Sequence, residues 1–116
     1  MSEVVGALVW CPFPDAVSAE VAAGTLLDEG LIVCANVLPG MRSIYVWKGA
    51  RQAGSEVGVL FKTTAALLDR VIKRLGEVHP YDEPAILGWR CDAAAPGTLA
   101  WFGALSGGGT EPIMHH

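Results

Sequence analysis

Leu31-Ile32-Val33-Cys34-Ala35-Asn36-Val37-Leu38, then Pro39-Gly40, then Arg42-Ser43-Ile44-Tyr45-Val46-Trp47, and, after a polar interval, Glu56-Val57-Gly58-Val59-Leu60-Phe61-Lys62: this stretch decides the fold. Its runs are rich in β-branched and aromatic residues, and turn-prone residues separate them, so it reads as a long β-hairpin. Pro39-Gly40 interrupts the first strand. Neither residue suits an inner ladder, so the pair marks a bend or bulge there. Lys48-Gly49-Ala50-Arg51-Gln52-Ala53-Gly54 forms the turn region of the hairpin.

Helical patterns flank the hairpin. Upstream, Asp15 stands where an N-cap should be, and Ala16, Ala19, Ala22, Ala23, Leu26 and Leu27 recur at helical spacing up to Glu29. Gly30 then suits the C′ position. Downstream, Thr63 or Thr64 is placed to cap a helix from Ala65 to about Val78. Its Leu67, Leu68, Val71, Ile72 and Leu75 make an apolar stripe, with Asp69, Arg70, Lys73 and Arg74 opposite. Val4 to Cys11 is a continuous apolar run bounded by Pro12 and Pro14, suited to a central strand buried on both faces. Ala85 to Cys91 reads as a fourth strand, and Pro96 at N1 opens a short last helix to Leu105. The order is β-α-β-β-α-β plus a terminal helix, an α+β, ferredoxin-like arrangement.

A chain of 116 residues suits one domain, assigned to 1–106, with 107–116 a flexible Gly-rich tail. Hydrophobic residues at 52% against 17% charged are a surplus for a small chain, and point to further burial between subunits. Eight Lys+Arg against twelve Asp+Glu give a net charge of −4 with no basic run, which argues against nucleic acid as a partner. The apolar run from Val4 to Trp10 is too short for a membrane span or signal core, and Met1-Ser2-Glu3 has no basic region. No membrane partner and a cytoplasmic location are therefore expected. Cys11, Cys34 and Cys91 are odd in number and widely spaced, which fits reduced thiols. No nucleophile–base–orienter set can be assembled, and Gly107-Gly108-Gly109 lacks the Lys-Ser/Thr of a phosphate loop, so an enzyme is not expected.

Polar chemistry concentrates in His79-Pro80-Tyr81-Asp82-Glu83-Pro84. The two prolines stiffen the loop and push His79 and Glu83 toward extended backbone, ending the preceding helix. Such a loop is either punctuation between helix and strand or a wall of a site for a cation or small polar ligand. Asp82 and Glu83 are adjacent and point apart, so they make no acid–base pair. Glu56 and Lys62 are an even number of residues apart on one strand, hence on one face. With Tyr81 they line a polar cleft between subunits, or else form an ion pair or solvated face. Cys34 is a further cleft candidate, although its apolar strand suits an inert thiol. Met114, His115 and His116 put soft and imidazole donors side by side, in a terminus that is either mobile or an expression remnant.

Several stretches in this order resemble the CutA family of divalent-cation tolerance proteins. They are Cys11 at the end of the first strand, Cys34-Ala35-Asn36 with Pro39-Gly40, Ser43-Ile44-Tyr45-Val46-Trp47-Lys48-Gly49, Glu56, Lys62-Thr63-Thr64, and His79-Pro80-Tyr81 with Pro84. The resemblance runs from about Val4 to Trp101. It implies a homotrimer of ferredoxin-like subunits with a PII-like assembly, in which the long second and third strands pair with neighbouring sheets. Tyr45, Trp47 and Trp101 are then packing residues at subunit boundaries. The implied role is divalent-cation tolerance, with weak binding of copper or another divalent metal and no organic cofactor. The ligands it implies are Cys11 and His79. Where some members carry a second histidine this chain has Val78, which leaves two donors, few for a tight site. The likeness to PII proteins keeps a second reading open, a signalling trimer that binds a small anionic ligand in intersubunit clefts near Lys62 and Tyr81. A third is an interaction scaffold without a small ligand.

Overall fold

The computed structural model describes residues 4–105; the Gly-rich tail and the Met114-His115-His116 donors lie outside the described residues. Its elements are β1 (Gly6–Phe13), α1 (Ala16–Asp28), β2 (Cys34–Trp47), β3 (Ala50–Thr64), α2 (Leu68–Val78), β4 (Leu87–Arg90) and α3 (Pro96–Phe102), with one turn of 3-10 helix at Ala65–Leu67. The turn of the hairpin is shorter than its composition suggests. Lys48 and Gly49, at φ 51° and 81°, make a two-residue turn, so Trp47 already pairs with Ala50. Positive φ at both central residues matches the right-handed strand twist, and that match lets pairing start immediately after the turn. Pro39 and Gly40 form the expected bulge. Leu38 pairs with Gly58 and Met41 with Glu56, which leaves two residues of β2 opposite Val57, with Gly40 at φ 77°.

The four strands form one antiparallel sheet in the order β2-β3-β1-β4. With α1 and α2 on one face, this is the ferredoxin-like arrangement. Val9, Cys11 and Phe13 of β1 and Val57, Val59 and Phe61 of β3 meet Ala19, Ala22, Leu26, Val71 and Leu75 of the helices. Alanines on α1 let it lie close to the sheet. Asp15 accepts the Ser18 N–H at 2.8 Å, as an N-cap should. At the other end Gly30, φ 71°, donates to the Leu27 carbonyl while the Leu31 N–H reaches Leu26, a Schellman closure.

Four expectations need correction. Neither Thr63 nor Thr64 caps α2: the Thr63 hydroxyl donates to the Leu31 carbonyl at 2.7 Å, the Thr64 hydroxyl is buried with no partner among the described residues, and the helix starts through the 3-10 turn. The second strand begins at Cys34, because Leu31 and Ile32 turn inward to fill the core. Pro12 does not bound β1 but lies inside it, opposite Gly58. Finally, β1 is buried on one face alone. Leu8, Trp10 and Pro12 point away from the helices and are half-buried, and Leu87 and Trp89 stand exposed beside them on β4. An apolar sheet face is thus left open. The arm beyond the bulge stretches the chain to 50 × 26 × 23 Å.

Candidate functional site

The end of β1 builds the site. Gly6 accepts the Cys91 N–H at 2.8 Å, so the even-numbered backbone groups of β1 point toward β4. The last β4 pair is Trp10 with Leu87. Beyond it Pro12 has no ladder partner to lose, which is why a proline is tolerated there, and its carbonyl is left open. His79 closes it: Nε2 lies 2.8 Å from that oxygen. Pro80 holds His79 extended at φ −75°, ψ 141°, which aims the ring back at β1. The ring stacks on Phe13 at 4.2 Å and its Nδ1 accepts the Tyr81 N–H at 3.1 Å. These partners assign the neutral tautomer with hydrogen on Nε2. Burial holds the His79 pKa below its ordinary value, outweighing the Pro12 hydrogen bond and the Glu56 charge.

Next along the loop, the Tyr81 ring lies 4.9 Å from the His79 ring and its hydroxyl donates to Glu56 at 2.8 Å. Burial first, then the Glu56 hydrogen bond and charge, push the phenol up to about 12. Between this loop and the hairpin arm opens a cleft of about 1070 Å³, lined among others by Tyr45, Trp47, Glu56, Tyr81, Asp82 and Glu83. Tyr45 and Trp47 share a strand face with Ser43, and their cross-strand partners Gln52 and Ala50 extend it. The cation in the lining is Lys48, whose ammonium sits 5.9 Å from the Trp47 ring centroid.

The chain brings Glu56 and Tyr81 together but not the other two cleft candidates. Lys62 is six residues along β3, about 20 Å away at ~3.3 Å per residue, and there it pairs with Cys34. Cys34 is half-buried and lies 3.9 Å from the Asn36 side-chain oxygen. Asp82 and Glu83, adjacent and unsuited to paired acid–base work, nevertheless both line the cleft. The contribution of Pro12 was not foreseen. A proline next to an apolar strand was a signal for an edge with an open carbonyl, although its partner 67 residues on was not legible.

Cys11 and His79, the implied metal ligands, do converge. The Cys11 thiol lies 3.7 Å from the same Pro12 carbonyl. They do not fit a metal. Cys11 is fully buried, burial followed by the Glu56 charge pushes its thiol up to about 12, and its sulfur lies against a backbone carbonyl rather than facing open space. Both His79 nitrogens are engaged by protein groups. Among the described residues, no group of three or more His, Cys, Asp or Glu is placed to hold a metal ion. A buried, protonated Cys11 is equally unsuited to nucleophilic chemistry.

The chain is thus a ferredoxin-like sheet with an open apolar face, a long hairpin arm and a phenol–carboxylate cleft between arm and loop. The profile of the CutA1 divalent ion tolerance protein family matches residues 7–104. The divalent-cation tolerance protein CutA of Pyrococcus horikoshii is 42% identical over 95 residues, covering 82% of this chain and 92% of its own. That of Pectobacterium atrosepticum is 33% identical over 97 residues, covering 84% and 88%. Among solved structures, CutA1 from Ehrlichia chaffeensis superposes with a TM-score of 0.85 at 28% identity, covering 90% of this chain and 98% of its own. CutA1 from Oryza sativa gives 0.83 at 27%, covering 89% and 94%. The chain belongs to the CutA1 divalent ion tolerance family, which is non-catalytic.

Proposed function

We propose that this chain contributes to divalent-cation tolerance as a homotrimer, and that any cation contact is weak and made by the cleft carboxylates. The observation that carries the assembly is the apolar surface left open by one chain: Leu38 just before the bulge, Ile44, Val46 and Trp47 along the arm, and Leu87 and Trp89 on the sheet face. Exposed β2 and β4 edges with such faces are a hazard for a free monomer, and a closed assembly of copies covers them. The cleft lining carries Glu56, Asp82 and Glu83 against one lysine, a charge balance that favours a cation over the anionic ligand of a PII-like reading. The anionic reading places its ligand by Lys62, which lies toward the far end of β3 from Glu56. Three free cysteines suit a reducing compartment, in keeping with a cytoplasmic location.

The test is growth of a strain lacking its own homologue, challenged with graded Cu(II) and complemented with this chain. Rescue is expected from the parent and from Cys11→Ala, and its loss from the combination Glu56→Gln, Asp82→Asn and Glu83→Gln. Rescue abolished by Cys11→Ala alone, with the carboxylate variant intact, would refute the reading.

A further inference from the structure

We infer that His79 is a positioning residue of the cleft and not a metal ligand: its ring ties the end of β1 to the loop that follows α2, and so sets Tyr81 on Glu56. A histidine that binds metal through one nitrogen commonly donates its other N–H to a carbonyl, and the Nε2 contact with Pro12 is of that kind. Metal would then have to bind Nδ1. That lone pair already accepts the Tyr81 N–H at 3.1 Å, reaching across Pro80. Metal there would take the Tyr81 amide's partner away in a part-buried contact, on a ring that is itself only 7% exposed, and would have to displace an existing hydrogen bond to bind. Phe13, stacked at 4.2 Å, resists rotation of the ring into another pose. The ring thus joins two parts of the chain by one donated and one accepted bond. The residue fastened by the second of these, Tyr81, is the one whose hydroxyl reaches Glu56 at 2.8 Å across the cleft wall. This inference rests on the ring geometry and holds whether or not a cation visits the cleft carboxylates.

Two readouts test it. In the 116-residue chain carrying His115→Ala and His116→Ala, His79 is the one remaining histidine of three. Long-range ¹H–¹⁵N spectra at about pH 8, above the ordinary histidine range, are expected to give a protonated Nε2 and an unprotonated Nδ1, both unmoved by an equimolar addition of Zn(II). A protonated Nδ1, or a stoichiometric Zn(II)-induced shift of either nitrogen, overturns the inference. The second readout is the Tyr81 ring ¹³C signal in a Tyr45→Phe background near neutral pH. It should keep its parent position in His79→Asn, whose side-chain oxygen can still accept the Tyr81 N–H, and should move in His79→Leu as the hydroxyl leaves Glu56. A Tyr81 signal that does not move in a folded His79→Leu variant also overturns the inference, and the tautomer measurement on the histidine parent decides the matter if that variant does not fold.

Discussion

Ile44→Asp with Val46→Asp should take the assembly apart while leaving each subunit folded. Both side chains lie on the arm, on the strand face opposite Tyr45 and Trp47, and are 72% and 70% exposed in the single chain. Neither touches the core between the sheet and the helices. Burying an aliphatic side chain of this size completely is worth about 1.5–3 kcal/mol, so covering the exposed fraction gives about 1–2 kcal/mol each. Over the six copies in a trimer this comes to about 6–12 kcal/mol, a large share of what a stable assembly needs. The aspartates also place carboxylates without partners in the contact, at a further cost of several kcal/mol. Sedimentation equilibrium at micromolar concentration should find three times the 12.2 kDa chain mass for the parent and a single chain mass for the variant. The same charge at Val17, equally exposed but on the outer side of α1, should leave the mass unchanged. A double variant that keeps the parent mass, or a parent that sediments as one chain, would refute the reasoning.

Three further outcomes follow from the geometry. Lys48→Asn should stabilise the hairpin by about 0.5–1 kcal/mol, because Lys48 sits at φ 51° and asparagine tolerates that region best after glycine; an unchanged thermal midpoint counts against the turn assignment. Since the folded state depresses the His79 pKa, its neutral form supports the fold fully above the unfolded value of about 6.5 and loses that support as pH falls through the lower folded value. Protonation puts hydrogen on Nδ1, which can then no longer accept the Tyr81 N–H, so urea midpoints below neutrality should drop more steeply in the parent than in His79→Asn. Iodoacetamide at neutral pH should label Cys34 and Cys91 in the native protein and spare Cys11, which is fully buried with a thiol raised to about 12; early labelling of Cys11, read by peptide mass, would overturn its assignment as an inert core group.

What the sequence alone settled is local. Asp15 and Gly30 announce the ends of α1, Pro39-Gly40 the bulge, Pro80 the end of α2, and apolar periodicity the order of elements, because each of these signals acts within a few residues of itself. The same periodicity places Glu56 and Lys62 on one strand face. It does not say that the loop after α2 lands beside Glu56 and leaves Lys62 about 20 Å away. That outcome depends on where β4 stops along β1, which fixes the carbonyl left open for a ring 67 residues later. The roles of Cys11 and His79 were decided the same way. As residue types they are metal donors. In the fold, burial keeps the thiol protonated and two backbone groups occupy the imidazole, and both effects arise only when strands distant in sequence meet and exclude water.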